Sequence, residues 1–347
     1  MVQVFGEQVT DNMKHQTTIR CEEIHPQIYR IVLPLPGKKP GPVNVYLLKG
    51  AQTTLIDTGT LKTTYHLQES LKQIGIGFSD IDRIILTHGH IDHYGAARRV
   101  VNGSSRHVSV AAHREDLPVI ESGMEASDRQ FSKFYRLMGV PLIFELLFYY
   151  VGWIFSSLAE NCRVDFCLSD GEKIQVGDYE ATIISTPGHT KGSICLYLEK
   201  EGILFAGDHI LGHITPNAFV MLESDFDIPW RMSQVEFYDS LQKIESISPR
   251  IVYPAHGDPI TDLPQTAAMF REQFSLRQKK ILAILEEAEF TVYRIARKLF
   301  PEISGKRLPL EIFLAVSEVF THLQVLEKDG RVVSHIRRGA QRYSLKC

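Results

Sequence analysis

Cysteine is sparse in this 347-residue chain: Cys21, Cys162, Cys167, Cys195 and Cys347 are an odd set of five with no Cys-x-x-Cys pair. That excludes a disulfide-stapled mini-protein. No secretory-type segment opens the chain, so a reducing cytoplasm is the expected compartment. An excess of one charge sign is also missing, with 38 Lys+Arg against 41 Asp+Glu and a formal net charge of −3. The 44% hydrophobic and 23% charged content excludes a disordered tail and a collagen-like fibre, and suits one large core with a smaller companion domain. The near-neutral total hides an uneven distribution. From Ser275 to Cys347 there are 14 Lys+Arg and 8 Asp+Glu, so that segment is +6 and the remainder is −9. Such asymmetry suggests a separate domain and raises a polyanion as a candidate partner for the basic end.

Charge is nearly absent from Leu137 to Ala159, 23 residues in which Glu145 is the one charged side chain. By length and polarity this is a transmembrane candidate. A single span here would place the histidine cluster at 88–93 and the motifs at 189, 208 and 256 on opposite sides of a membrane. Pro141 and Gly152 also suit one or two packed helices. The expectation is therefore no transmembrane span, but a helical insertion over about 114–160. It would serve as a buried element, a homodimer contact, an apolar lid or acyl-chain pocket, or a site of shallow membrane association.

What is present reads as two β-rich, helix-flanked halves. Ile28–Leu33, Val43–Leu48 and Thr53–Ile56 are strand-like, Leu61–Ile74 places Leu67, Leu71 and Ile74 at helical spacing, and Arg83–Thr87 is a short apolar strand. A second round has strands at 163–168, 172–186, Ile194–Leu198, Ile203–Ala206 and Arg250–Tyr253, with helices at Met232–Ile247 and from Leu263 onward. This pattern predicts an α/β fold, two sheets with helices outside. The C-terminal segment predicts helices at Arg277–Glu287, Thr291–Leu299 and Leu310–Glu327, then a hairpin of Arg331–Ile336 and Arg342–Leu345: a winged-helix pattern. The third helix has no Lys or Arg between Leu310 and Glu327, so sequence-specific DNA is not an expected partner.

The chemistry concentrates in Thr87-His88-Gly89-His90-Ile91-Asp92-His93, four candidate metal ligands directly after a strand. In extended backbone His88 and His90 project to one side, and a turn into helix then aims Asp92 and His93 at a neighbouring spot. One segment can thus serve two adjacent cations. Imidazole and carboxylate donors suit Zn, Fe or Mn. Single ligand-type residues end later strands: His189 in Pro187-Gly188-His189-Thr190, Asp208 in Gly207-Asp208, and His256 in Ala255-His256-Gly257. His209, next to Asp208, and His213 are further polar candidates near the site that read more as ordering or solvated residues than as catalysts, and His113 reads as structural.

Together with Leu55-Ile56-Asp57-Thr58-Gly59, this ordered set resembles the metallo-β-lactamase-fold hydrolase superfamily. The resemblance implies a four-layer αββα sandwich. It implies that His88, His90 and His189 hold one divalent metal, that Asp92, His93 and His256 hold another, and that Asp208 bridges them. Asp57 would support the ligand loop from behind. Zn is the first expectation for both metals, with Fe or Mn as alternatives. The winged-helix tail is similar to a branch of β-lactamase-like proteins that includes hydrolases and endoribonucleases. The expected organisation is a catalytic domain at 1–270 and a winged-helix-like domain at 271–347.

The expected activity is hydrolysis of an ester, thioester or lactone of a small, acyl-bearing substrate by a hydroxide held between two metals. Asp92 would be the catalytic carboxylate that steers the proton. The alternatives are a metal-dependent endoribonuclease acting on single-stranded RNA, favoured by the basic tail, and a non-catalytic metal-binding sensor or interaction protein.

Overall fold

The computed structural model describes residues 20–36, 40–123, 128–147, 157–216, 218, 231–303 and 308–346. A seven-stranded sheet runs in the order β1 (Arg20–His25), β2 (Ile28–Leu33), β3 (Val43–Leu48), β4 (Thr54–Ile56), β5 (Arg83–Ile85), β6 (Ser109–His113), β7 (Phe166–Leu168). Pairing is antiparallel from β1 to β4 and parallel from β4 to β7. A five-stranded sheet has β8 (Lys173–Val176), β9 (Tyr179–Ser185), β10 (Ile194–Leu198), β11 (Ile203–Gly207) and β12 (Ile251–Pro254), with β11 and β12 parallel.

Side chains alternate along these strands, so each sheet has two apolar faces. Tyr46 and Leu48 of β3 join Ile183, Leu196 and Phe205 in the cluster between the sheets. Val43, Val45 and Leu47 face the other way, toward helices α1 (Thr64–Gln73), α2 (Ile91–Tyr94), α3 (Ala97–Asn102) and α4 (Leu117–Ser122), which contribute Leu67, Leu71, Tyr94, Val100 and Ile120. The outer face of the second sheet, with Ile184, Cys195 and Leu204, packs on Phe237, Leu241 and Phe270. The inner strands such as β3, β10 and β11 are thus near-continuous apolar runs, as burial on both faces requires. The four layers of the αββα sandwich are in place.

Phe237 and Leu241 belong to helix α6 (Ser233–Ile247), and Phe270 to helix α7 (Leu263–Glu287). Helix α7 is continuous, so the helices expected from Leu263 and from Arg277 are one element. The Asp262 carboxylate caps it by accepting the Gln265 amide at 2.9 Å. Beyond it come β13 (Phe290–Thr291), helices α8 (Val292–Leu299) and α9 (Leu308–Lys328), and strands β14 (Val332–Arg337) and β15 (Ala340–Leu345), with a three-stranded sheet in the order β13-β15-β14. These elements close their own cluster around Ile281, Ile295, Phe320, Leu323 and Tyr343.

Strand β1 was not expected. Its residues, Arg-Cys-Glu-Glu-Ile-His, show no apolar alternation, and it exists as an edge strand through its ladder with β2.

The apolar insertion is placed in part. Helix α5 (Asp128–Leu137) is followed by a reversal at Gly139-Val140 and a short helix at 142–147, so the described part is not an uninterrupted span. Phe134, Tyr135, Met138 and Val140 pack into the C-terminal cluster, not across the ends of the sandwich strands. Leu142, Ile143 and Leu146 are exposed. The centre of the predicted lid, Phe148 to Phe155, lies outside the described residues. Among the described residues one helix, Pro309–Lys328, is long and apolar enough to cross a membrane, and 61% of its apolar window is buried inside the protein.

Candidate metal centre

The candidate ligands converge on one edge of the sandwich because each follows the C-terminal end of a strand. His88, His90, Asp92 and His93 follow β5, His189 follows β9, Asp208 follows β11 and His256 follows β12. The two sheets are stitched at this edge by backbone bonds from Ile194 N–H to the Thr87 carbonyl at 2.9 Å and from Asn44 N–H to the Ala255 carbonyl at 2.6 Å.

Two groups of ligand atoms form, His88, His90, His189 and Asp208 in one and Asp92, His93 and His256 in the other, each with its atoms within 4.8 Å of one another. Asp208 lies between them. Its Oδ2 is 3.5 Å from His189 Nε2, 3.7 Å from His93 Nε2 and 4.0 Å from His88 Nε2, and its Oδ1 is 3.5 Å from His256 Nε2. Asp92 Oδ2 is 3.4 Å from His256 Nε2. All seven residues predicted as ligands are therefore brought together.

Asp57 ends β4 at φ +60°, a left-handed conformation uncommon for a side chain with a Cβ. The turn aims its carboxylate at three donors. Oδ1 accepts the Thr87 amide at 2.8 Å, and Oδ2 accepts the Thr87 hydroxyl at 2.7 Å and His93 Nδ1 at 2.8 Å. Because the Thr87 hydroxyl donates to Asp57, its oxygen accepts from His88 Nδ1 at 3.1 Å. His256 Nδ1 likewise donates to the Pro42 carbonyl at 2.9 Å. In these three rings Nδ1 is occupied from behind and Nε2 is presented to the centre, while His90 turns its Nδ1 toward His88 Nε2 and His189 Nε2, at 3.0 and 3.1 Å.

A residue without any motif signal completes the scaffold. Asp116 is 1% exposed, at the start of α4. Its Oδ2 accepts the Gly89 amide and the Thr190 hydroxyl, both at 2.7 Å, and its Oδ1 accepts the Gly192 amide at 2.8 Å. One carboxylate thus straps the His88–His90 loop to the loop of His189. The sequence showed only an acid shortly after a strand, and nothing in its spacing named its partners. Replacing Asp116 by alanine is expected to weaken metal binding at the His88, His90, His189 group by about 10- to 100-fold, the cost of losing such outer support. Titration of the metal-free protein with Co(II), followed by its absorption bands, measures this.

The rest of the histidine readings fall out plainly. His209 is buried, 4.9 Å from the Phe237 ring, so it is not a solvated residue. His213 donates from Nε2 to the Pro40 carbonyl at 2.9 Å. His113 accepts the Glu115 amide at 3.3 Å, a structural role as expected.

Electrostatics divides the two groups. Burial, with His93 and His90 adding to it, holds His88 well below the usual imidazole range, and burial with neighbouring His189 takes His90 to about 3. For His93 burial pulls down, but Asp57, Asp92 and Asp208 outweigh it and hold the ring well above that range. His256 is raised too, as Asp208 and Asp92 outweigh burial. Burial acts to raise the Asp92 carboxyl, yet His93 and His256 hold it at about 2.

Divalent cations fit this donor set. His93 Nε2, His256 Nε2 and Asp208 Oδ1 are buried at the centre without a hydrogen-bond partner, an arrangement proteins rarely leave uncompensated. A cation competes with protons more at His93 and His256, whose pKa values are raised, than at His88 and His90, whose values are lowered. As pH falls from about 8 to about 5.5, the Asp92, His93, His256 group is therefore expected to empty first. Elemental analysis after equilibration across that range would show occupancy falling in two steps, and a simultaneous loss would contradict the division.

The family model described as the metallo-beta-lactamase superfamily matches residues 39–256, more than half of the chain. The chain is 30% identical over 304 residues to "Probable metallo-hydrolase YqjP" of Bacillus subtilis, covering 85% of this chain and 91% of that protein. It is 25% identical to "Atrochrysone carboxyl ACP thioesterase" of Emericella nidulans, covering 98% of this chain and 91% of the relative. A crystal structure of a metallo-beta-lactamase family protein from Thermus thermophilus superposes with a TM-score of 0.78 at 26% identity, over 93% of this chain and 100% of that one. With the fold and the convergent histidine and aspartate cluster, these matches show that the chain belongs to the metallo-β-lactamase superfamily and is a hydrolase of that group.

Proposed function

We propose that the chain hydrolyses a thioester, or a related ester or lactone, of a small acyl-bearing substrate, with two divalent ions held by the residues of the candidate centre. The observation that carries the reading is that 98% of the chain aligns with a thioesterase, so the similarity extends beyond the metal-bearing sandwich to the C-terminal elements. Nitrogen and oxygen donors of this kind suit zinc first, with iron or manganese as alternatives.

When bound, the ions would lower the pKa of water toward neutrality and polarise the scissile carbonyl. The chain's own part is positional. His88, His90 and His189 supply nitrogens on one side, and Asp92, His93 and His256 supply the other side, while Asp208 reaches both. Asp92 is the more accessible of the two central carboxylates, with 21% of its side chain exposed against 9% for Asp208. That leaves it the one able to accept and pass on a proton of the incoming water. In the overall reaction the water oxygen bonds to the acyl carbon, the carbon–sulfur bond breaks, and the sulfur leaves as a thiol with a proton.

The order helix, strand, two helices and two strands at the C-terminus supports the winged-helix reading of that region. Four of its 14 Lys and Arg side chains are engaged by carboxylates of the same region. Arg277 pairs with Glu318 at 2.7 Å, Lys298 with Glu287 at 2.6 Å, and Arg337 and Arg342 both approach Glu289, at 3.1 and 3.6 Å. This weighs against the endoribonuclease reading, since binding to RNA relies on free cations along the backbone. The intact ligand set weighs against a non-catalytic sensor.

The test is turnover by the metal-loaded protein on matched thioesters, esters, lactones and single-stranded RNA. Thioester cleavage above the others supports the proposal. Cleavage of RNA alone overturns it, and no turnover on any of the four returns the sensor reading.

A further inference from the structure

Helix α6 and the residues leading into it hold the loop that carries His189 on both sides of that ligand. The Ser240 hydroxyl donates to the Pro187 carbonyl at 2.8 Å. One turn earlier, Phe237 fills the space beside Gly188, where a Cβ would stand 2.5 Å from the Phe237 Cα. Two residues before α6, Arg231 Nη2 donates to the Thr190 carbonyl at 3.2 Å. That oxygen also accepts the Gly188 amide at 3.0 Å, which closes a tight turn over His189. The guanidinium therefore engages the atom that closes the turn, while Asp116 holds the Thr190 hydroxyl.

Arg231 is itself fixed from two directions. Its guanidinium pairs with Glu236 in the first turn of α6, and 15% of its side chain is exposed. Its backbone carbonyl accepts Gln324 Nε2, from helix α9, at 3.1 Å. Gln324 Oε1 is buried without a partner, so the bond to Arg231 is the one hydrogen bond of that side chain among the described residues. A dry amide oxygen costs stability that a leucine at this place would not, and packing alone does not account for a glutamine here. A chain of contacts thus runs from α9 through Gln324, Arg231 and Thr190 to His189, the last step being a single peptide bond.

We propose that Arg231 is a positioning residue for His189, and that it ties the orientation of this ligand to the docking of helix α9, so that the C-terminal region sets the affinity of one of the two metal positions. This role rests on the two-ion reading of the centre and adds to it a part for the C-terminal elements. A planar, permanently charged donor holds a carbonyl in one direction, and the turn between that carbonyl and His189 is too short to absorb a shift. Asp92, His93 and His256 lie on loops after β5 and β12 and receive none of these bonds among the described residues, which confines the effect to the His88, His90, His189 group.

The experiment titrates the metal-free, full-length protein with Co(II), followed by its absorption bands, in the wild type, Arg231→Met and Gln324→Leu. Arg231→Met is expected to weaken one of the two bound equivalents about tenfold, the lower end for loss of outer support, and to leave the other unchanged. Gln324→Leu is expected to weaken the same equivalent about threefold, the worth of a modest hydrogen bond. General loosening of the protein would not be selective in this way. Wild-type affinity for both equivalents in Arg231→Met, or an equal loss at both, overturns the assignment, and a loss that Gln324→Leu does not share overturns the link to α9. Where Arg231→Met fails to fold, Gln324→Leu decides alone: a selective loss supports the link, and unchanged or equally weakened binding overturns it. If the wild type takes up a single equivalent, the two-ion reading fails, and weaker binding of that equivalent in both variants would still uphold the role of Arg231, whereas unchanged binding would overturn it as well. Uptake of no Co(II) by the wild type overturns both.

Discussion

Asp208→Ala is expected to remove metal and turnover together. The carboxylate lies within 4.0 Å of imidazoles from both sides of the centre, His88 and His189 on one and His93 and His256 on the other. Without it, each group of nitrogen ligands loses its shared negative charge, and two cations brought close together repel with nothing between them. The same carboxylate raises His93 and His256, so its loss has an opposing effect, making those two rings easier to deprotonate. Loss of the ligand outweighs this, because a cation needs the donor itself and not merely neutral neighbours. A fall in kcat/KM of about 10³-fold or more is expected, at the upper end for removal of one electrostatic contact at an active site. Elemental analysis should show less than full occupancy in the same preparation. Two metals retained at wild-type stoichiometry would refute the bridging position of Asp208.

Asp57→Ala is expected to damage the protein in a different way, through stability as well as activity. Asp57 touches neither group's open nitrogens. It is 1% exposed and accepts three hydrogen bonds, from the Thr87 amide, the Thr87 hydroxyl and His93 Nδ1. Truncation leaves a buried amide without its acceptor and leaves His93 without the carboxylate behind it. Breaking a buried, hydrogen-bonded charge pair of this kind costs about 3–5 kcal/mol. The left-handed backbone at φ +60° adds to that loss, because alanine tolerates it less well than aspartate or asparagine does. Asp57→Asn should therefore melt closer to the wild type than Asp57→Ala does. It should still bind metal about 10- to 100-fold more weakly, since the amide cannot hold the His93 tautomer as the carboxylate does. Thermal melts of the metal-free proteins separate the stability loss from the loss of metal affinity. Equal melting temperatures for wild type and Asp57→Ala would show that the triad around Thr87 carries no structural load.

The C-terminal region shows how far charge counting reaches. Its excess of basic residues is real, but the structure spends Arg277, Lys298, Arg337 and Arg342 on Glu318, Glu287 and Glu289. A sum over a segment cannot register pairing, because pairing depends on which side chains the fold brings within a few ångströms. The apolar insertion carries the same lesson for hydropathy. Its uncharged composition marked burial correctly for Met138 and Val140, but the surface they cover belongs to the C-terminal cluster. Composition measures the preference for leaving water and is silent on the partner.

Local order was enough for much of this protein. Apart from β1 and β6, the strands of both sheets, the helix after Leu61, and the seven histidines and aspartates of the centre were legible from the sequence, because alternation, helical spacing and the placing of polar residues directly after apolar strands are properties of neighbours along the chain. Three things were decided by the tertiary structure alone. Asp116 became a strap only when the Gly89 and Thr190–Gly192 loops were brought around it. Helix α7 joined two clusters, with Phe270 in one and Ile281 in the other, so a boundary expected near 271 falls inside a continuous helix. A cavity walled by His213, Gln234 and His322 draws on segments that span more than 100 residues of the chain. Each depends on the closing of long loops, whose free energy comes from packing spread over the whole core, and no short-range pattern records it.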